Sequence, residues 1–285
     1  MTIRVIVAAL LALAAGSAAH PAAAQRLRPQ PAPPPDANAE YRRCLDRAAQ
    51  APLEALADAD GWAARGGGDP ARHCAAIALF NAGRAREAAE RLERLADEWQ
   101  RPNPALRAEV LAQAGRAWLD AGDPSRANAV FTSALEIAPS AIEVYVDRAE
   151  ALAAAGSYWE AIDDLNHVLD LNPRRADALA LRASAYRYVD SIELAAADAE
   201  QAVQIDPNLP EAWLERGIVA RLRGNLAQAR ADWGRALRLD PEGPVGDAVR
   251  ANIERLELNI DDQPRAPSRP APAAPAAPRP TPPRR

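Results

Sequence analysis

The residues best suited to catalysis or metal binding are few and widely spaced. After residue 24 the chain has two histidines, His73 and His167, and two cysteines, Cys44 and Cys74. His73 stands beside Cys74 without further ligands at the spacing of a metal site. The sequence contains no nucleophile elbow, phosphate-binding loop or His-Glu-x-x-His motif, and the glycines at 66–68 are interpreted as a linker. We therefore expect no catalytic residue, no metal and no cofactor.

Neighbouring acidic residues are the remaining candidates for proton transfer. Asp163 with Asp164 is interpreted as a solvated helix face, and Asp261 with Asp262 as a helix end. Residues 39–262 carry 38 acids against 26 arginines. Such an acidic body repels phosphates, so nucleic-acid binding is not expected.

The first 24 residues have the pattern of a secretory signal peptide. Arg4 gives a positive start, residues 5–16 form a short apolar run, and three alanines ending at Ala24 form a small-residue cleavage site. We expect cleavage after Ala24 and a periplasmic location, with an uncleaved signal anchor as the alternative. No apolar stretch approaches the length of about 18 residues that spans a membrane, so no membrane insertion is expected after cleavage.

Export decides how the two cysteines are interpreted. Oxidising compartments favour disulfides, and Cys44 and Cys74 fall in successive helix-favouring segments. We predict one disulfide between them, which closes a loop of about 30 residues and stabilises the fold by roughly 3 to 4 kcal/mol. Two buried free thiols are the alternative. A redox site is disfavoured because no Cys-x-x-Cys spacing occurs.

The elements that would position any site repeat every 34 residues. Pro139, Pro173, Pro207 and Pro241 each end a segment that otherwise favours helix. Small residues recur at the eighth and twentieth positions of each unit, and large apolar residues at the fourth and, in three units, the twenty-fourth. A glycine at position fifteen, replaced by Asp190 in one unit, predicts a helix end in the left-handed conformation. Each unit is therefore expected to be a helix hairpin.

These positions resemble the tetratricopeptide repeat family, whose consensus has aromatic, small and proline residues at the same places. The resemblance covers residues 108–241 and implies an all-α fold, an α-solenoid of stacked antiparallel helix hairpins that forms a superhelix. The consensus leucine at position seven is absent. Arg148, Arg182 and Arg216 stand there in three units, and we expect their stems on apolar surface and their charged groups in water.

The repeats define the organisation expected of the whole chain. The expected segments are a signal peptide (1–24), a disordered linker (25–38), a helical cap (39–68), a degenerate repeat (69–107), four repeats (108–141, 142–175, 176–209, 210–243), a capping helix (244–262) and a disordered tail (263–285). The tail is rich in proline, alanine and arginine and contains no acid. Contact of this basic tail with anionic envelope polymers or with the repeats is one interpretation, and a solvated tail without a partner is the other.

The family resemblance also implies where a partner would bind. First helices of the repeats line a concave groove, into which the second, fifth, ninth and twelfth positions point. The candidate partner-binding residues at such positions are Arg116, Val146, Glu150, Arg187, Leu214, Ile218 and Arg221. Arg187 and Arg221, beside apolar residues, suit an extended peptide with a carboxylate and aliphatic side chains; two solvated arginines are the alternative.

The function expected from these features is a non-enzymatic protein–protein interaction scaffold of the bacterial cell envelope. Its groove would hold an unknown protein or extended peptide. A structural envelope component tethered by its basic, proline-rich tail is the alternative.

Overall fold

The computed structural model describes residues 37–99 and 103–257, and every regular element within these ranges is a helix. The expected signal peptide at 1–24, most of the expected linker at 25–38 and the tail at 263–285 lie outside the described residues. The helices fall into two units, one that ends at Ala155 and one that begins at Gly156.

The described part of the first unit contains seven α-helices. They are α1 (Ala37–Gln50), α2 (Pro52–Trp62), α3 (Gly68–Asn81), α4 (Ala85–Asp97), α5 (Pro104–Asp120), α6 (Pro124–Ile137) and α7 (Ile142–Ala154). From α2 to α7 each helix packs against the next one in the chain, and α1 packs against both α2 and α3. In addition α5 contacts α7, so the first helices of two successive hairpins are neighbours.

The second unit contains six α-helices within the described ranges. They are α8 (Tyr158–Leu171), α9 (Ala176–Tyr188), α10 (Ile192–Ile205), α11 (Pro210–Leu222), α12 (Leu226–Leu239) and α13 (Pro244–Glu257). Helices α9 and α10 form one hairpin and α11 and α12 the next, while α9 also lies against α11. The last helix, α13, packs on both α11 and α12 and covers the end of the unit.

Each hairpin turns at a residue in the left-handed conformation. Gly122 has φ 74° and Gly224 has φ 78°. Asp190, which replaces glycine at the same position, has φ 61° and is the one described residue other than glycine with positive φ. The left-handed helix end predicted from the 34-residue spacing is therefore confirmed, including at the aspartate.

Large aromatic side chains fill the hairpins opposite small residues. Phe131 and Trp233 are fully buried in their units. A Cβ atom added to Gly115 would meet the ring of Phe131, and one added to Gly217 would meet the indole of Trp233. Glycine at position eight thus lets a large residue at position twenty-four approach the backbone of the facing helix.

A disulfide joins α1 to α3 at the start of the first unit. Cys44 and Cys74 are bonded, with their Cα atoms 6.2 Å apart, so the predicted disulfide is confirmed. Cys74 lies in a buried cluster with Tyr41, Trp62 and Ala71. The glycines at 66–68, interpreted from the sequence as a linker, form the bend between the packed helices α2 and α3, and φ at Gly66 is 91°.

Candidate functional site

The candidate site is the side of the first helices that carries the second, fifth, ninth and twelfth repeat positions. We call it the first-helix face; it belongs to α5 and α7 in the first unit and to α9 and α11 in the second. In the first unit Arg116 on α5 donates a hydrogen bond from Nε to Oδ2 of Asp147 on α7, at 2.8 Å. Burial raises the pKa of the Asp147 carboxyl, and Arg116 opposes that rise. This ion pair ties two successive first helices together.

The other two predicted residues of the first unit differ in exposure. Val146 is buried and contributes to packing. Glu150 is exposed, and so is Glu143, about two helical turns before it on α7. The exposed glutamates therefore give this part of the first-helix face a negative charge.

Arg187 takes part in a second ion pair, which joins α9 to α11. Its Nε lies 3.0 Å from Oε2 of Glu215 and its Nη2 lies 3.3 Å from Oε1, while Nη2 also donates to Oγ of Ser184 at 3.2 Å. The side chains of Arg187 and Glu215 are 4% and 11% exposed. Burial lowers the pKa of Arg187, but the attraction of Glu215 outweighs it, so the pKa is raised and the guanidinium stays charged.

The burial of Arg187 corrects the interpretation drawn from the sequence. A solvated arginine is excluded by its exposure of 6%, and the carboxylate expected from a peptide ligand is supplied within the protein by Glu215. The physical reason is the proximity of α9 and α11. Two first helices in contact bring oppositely charged side chains within hydrogen-bond distance and exclude water from them.

The remaining predicted residues lie on α11, close to the last helix. Ile218 belongs to a buried cluster with Val245 and Val249 of α13, and Leu214 packs against the same cluster. Arg221 is 9% exposed. Helix α13 thus covers part of the face on α11 that the repeat pattern alone leaves open.

The sequence interpretation missed a ladder of ion pairs inside the second unit. Arg182 donates to both carboxylate oxygens of Asp198, at 2.7 and 2.9 Å, and Arg216 does the same to Asp232 at 2.9 and 2.7 Å. The third nitrogen of Arg216 reaches Glu200 on the preceding hairpin at 2.9 Å. The expectation that these charged groups lie in water is therefore wrong. Because the Arg182–Asp198 and Arg216–Asp232 pairs each link two helices of one hairpin, they fix the register of those helices.

A signal for this ladder is present in the sequence. Arginine recurs at position seven and aspartate at position twenty-three, and the two aspartates are 34 residues apart, like the two arginines. Asp164 occupies the same position in the preceding repeat and is 7% exposed, so its assignment to a solvated face is also wrong. The paired recurrence of opposite charges distinguishes structural residues from surface residues here.

The two histidines occupy different environments. His167 is exposed. Nδ1 of His73 lies 2.7 Å from the hydroxyl of Tyr41, and its Nε2 lies 2.6 Å from Oε1 of Gln113, whose amide nitrogen donates to Glu109. Because Oε1 can only accept, Nε2 carries the ring proton and Nδ1 accepts from Tyr41. Burial lowers the pKa of His73, so this hydrogen-bonded chain holds a neutral imidazole.

Neither a metal-binding cluster nor a membrane-spanning helix occurs in the described part of the chain. Residues 37–99 and 103–257 contain no group of three or more histidine, cysteine or acidic side chains placed to hold a metal ion. In the same ranges, none of the helices combines the length and the apolar character needed to cross a bilayer.

Comparison with known proteins identifies the repeats. Sequence models of the tetratricopeptide repeat match residues 119–185, 176–209 and 210–242. The repeat region belongs to the tetratricopeptide repeat family. The fold class predicted from the resemblance, all-α with antiparallel helix hairpins, is confirmed by these matches and by the helices of both units.

Solved tetratricopeptide repeat structures share the fold. TTC0263, a thermophilic tetratricopeptide repeat protein of Thermus thermophilus, is 21% identical; the alignment covers 67% of this chain and 99% of that chain, with a TM-score of 0.53. MamA from residue 41 to its end, of Desulfovibrio magneticus RS-1, is 22% identical over 59% of this chain and 93% of that chain, with a TM-score of 0.50. No curated protein gives a significant match.

Membership of the tetratricopeptide repeat family gives the general function. Repeats of this family serve as protein-binding modules, and the chain is a protein–protein interaction scaffold.

Proposed function

We propose that this scaffold binds an extended segment of a partner protein along its first-helix face and catalyses no reaction. The observation that carries the proposal is the arrangement of first helices side by side within each unit. Cross-helix ion pairs, Arg116 with Asp147 and Arg187 with Glu215, hold these helices in place. Because ion pairs join neighbouring helices of this face, the face loses little conformational entropy when a segment binds to it.

The charges of the first-helix face favour a basic partner segment. The arginines expected to bind a carboxylate are engaged within the protein or buried. Glu143 and Glu150 on α7 and Glu211 on α11 are exposed to solvent, and the first two also interact with neighbouring groups of the protein. Complementary charges raise the association rate and exclude partners of the wrong sign. An extended segment that carries arginine or lysine therefore fits this face better than the carboxylate-bearing peptide expected from the sequence.

We place the scaffold in the periplasm. The signal-peptide pattern at 1–24 lies outside the described residues, so the support from the fold is the disulfide between Cys44 and Cys74. Disulfides form and persist in oxidising compartments, of which the periplasm is one. A protein that carries both a secretory pattern and a buried disulfide fits that compartment.

The experiment is affinity capture from a periplasmic extract with three baits: the wild-type chain, the variant Glu143→Arg with Glu150→Arg, and the control Glu136→Arg. Glu136 is an exposed acid on α6, a second helix, in the same unit. We expect the wild type and the control to retain the same proteins and the double variant to lose them. Equal capture by all three baits contradicts binding at the first-helix face.

Substitution of Arg187 is unsuitable for this experiment. Arg187→Glu places a second carboxylate beside Glu215 in a buried position, and breaking a buried ion pair costs about 3–5 kcal/mol. Loss of binding in that variant would report unfolding and not recognition.

A further inference from the structure

A strip of apolar side chains runs along the turns of the second unit. Tyr158, Ile192 and Leu226 begin the second helices of successive hairpins, and Tyr188 and Leu222 end the first helices; the members of each set are 34 residues apart. We call these five residues the turn-edge strip. Leu222 and Leu226 are 37% and 41% exposed, and the other three are half-buried. The strip is separate from the first-helix face.

The aromatic end of the turn-edge strip is held rigidly. The rings of Tyr158 and Tyr188 are stacked, with centroids 4.5 Å apart and planes within 1° of parallel. The guanidinium carbon of Arg187 lies 4.3 Å from the centre of the Tyr188 ring. Since Arg187 is itself paired with Glu215, the Tyr188 ring has both a stacking partner and a neighbouring cation that is held by an ion pair.

The next repeat continues the strip in the same way. Glu193 on α10 forms an ion pair of 3.3 Å with Arg223, directly after α11. This pair places the start of α10 beside the end of α11, where Ile192 and Leu222 are the equivalents of Tyr158 and Tyr188. Apolar side chains therefore recur at equivalent turn positions of successive hairpins.

We propose that residues 263–285 of the same chain bind to the turn-edge strip. Prolines in this tail recur at every third residue, in two sets: 264, 267 and 270, then 272, 275 and 278. A polyproline II helix has three residues per turn and rises about 3.1 Å per residue, so in that conformation prolines three residues apart lie on one edge about 9 Å apart. Proline-rich segments bind to grooves and ledges lined by aromatic and apolar side chains.

The spacing of the prolines matches the spacing of the repeats. Helices α9 and α11 are in contact, and packed helices have axes about 8–10 Å apart. Successive prolines of one set, about 9 Å apart, can therefore contact successive hairpins. The tail begins six residues after the end of α13, a helix that packs on α11 and α12 of the same unit. A segment of 23 residues in the polyproline II conformation reaches about 70 Å, so length does not limit the proposed contact.

Charge complementarity supports this occupant. The tail contains five arginines and no acid. Glu160 and Asp190 are exposed acids beside the strip, and a third acid, Glu193, is paired with the nearby cation Arg223. Arginines that lie between the periodic prolines of the tail would be close to these carboxylates. The acidic edge and the apolar strip thus match the two kinds of residue in the tail.

The test uses a fluorescent peptide of residues 263–285 and fluorescence anisotropy. It compares the full chain with a full-length variant whose residues 263–285 are replaced by a glycine–serine sequence of equal length. A tethered segment has an effective concentration near 1 mM, so a peptide with a Kd of about 100 µM should bind about tenfold more weakly to the full chain. Equal affinity for both chains, or binding to neither, overturns the proposal.

Matched leucine variants locate the binding surface. In the glycine–serine background, Leu226→Ser should weaken peptide binding severalfold, whereas Leu171→Ser should not. Leu171 is 62% exposed at the opposite end of α8, so both substitutions affect exposed leucines of one unit and neither threatens the fold. Equal effects of the two substitutions contradict binding at the strip.

Two further measurements distinguish binding of the chain's own tail from attraction by charge alone and from binding to a second copy. A peptide with alanine at the six periodic prolines but all arginines retained should bind at least fivefold more weakly; unchanged binding means that charge alone attracts it, and overturns the proposal.

Light scattering of the full chain should give a monomer at every concentration. A dimer that disappears in the glycine–serine variant means that the tail binds a second copy, and also overturns the proposal.

Discussion

Gly217→Ala tests the packing on which the hairpins depend. A Cβ at this position would lie 2.5 Å from Nε1 of the fully buried Trp233, whose Nε1 donates to the Leu214 carbonyl at 3.3 Å. Overpacking costs about 1–3 kcal/mol and a strained hydrogen bond about 1 kcal/mol, whereas alanine in a helix gains about 1 kcal/mol over glycine. We expect a net loss of about 1–3 kcal/mol.

The assay is urea unfolding followed by far-UV circular dichroism, with Gly234→Ala on α12 as the control. A Cβ at Gly234 meets its nearest neighbour, the end of the flexible Arg238 side chain, at 3.5 Å, so this substitution should stabilise by about 0.5–1 kcal/mol. The midpoint should fall for Gly217→Ala and rise for Gly234→Ala, with similar slopes. A rise of equal size in both variants refutes the packing argument.

A second substitution isolates the contact between the two residues. With Trp233→Leu in place, Gly217→Ala should become stabilising by about 1 kcal/mol, because the smaller side chain leaves room for the methyl group. The combination occurs naturally, since Ala149 and Leu165 stand at the same two positions of another repeat. Additive effects in the double variant would show that Gly217 and Trp233 do not interact.

Three further predictions concern other parts of the molecule. Arg216→Leu leaves the Asp232 side chain, 4% exposed, without its cation and should cost about 3 kcal/mol in urea unfolding, most of which Asp232→Leu should restore; no recovery contradicts a balanced pair. Replacing Cys44 and Cys74 with alanine should lower the stability of α1 by about 3–4 kcal/mol, measured by hydrogen exchange; unchanged exchange contradicts this. Burial lowers the pKa of His73 in the folded state, so the contribution of this residue to folding stability is present above its unfolded pKa of about 6.5 and is lost as the pH falls below that value. Between about pH 7.5 and 5.5, the variant His73→Gln should therefore lose less thermal stability than the wild type. An equal loss in both proteins contradicts this.

The hairpins could be predicted from the sequence because their signals are local. Proline and glycine act on the backbone at their own positions, and Asp190 follows the same rule as the glycines it replaces. Small and large residues at fixed positions predicted the hairpins, and the contact of Gly115 with Phe131 joins one small and one large position of that pattern. These features depend on geometry within one hairpin, which the repeat length fixes.

The ion pairs could not be predicted in the same way. Arg182 and Asp198 are both polar, and a pattern of apolar positions assigns such residues to the surface. Their pairing depends on the direction in which position seven points across the hairpin. Arg187 and Glu215 are 28 residues apart, so they occupy different repeat positions, and no 34-residue spacing links them. Their contact depends on how closely α9 approaches α11.

The accessible part of the first-helix face was misjudged for a related reason. Positions in a repeat pattern indicate which residues point toward the groove but not which helix covers them. Helix α13 packs on α11 and buries Ile218, although its sequence lies outside the 34-residue pattern. What stays exposed, including Glu143 and Glu150, determines the charge of the surface offered to a partner.

The most direct test of the proposed function is hydrogen–deuterium exchange of the full chain with and without a captured partner. We expect the amides of the first helices α5, α7, α9 and α11 to exchange more slowly in the complex and those of the second helices α6, α8, α10 and α12 to change little. Protection concentrated on the second helices, with the first helices unchanged, would contradict binding at the first-helix face.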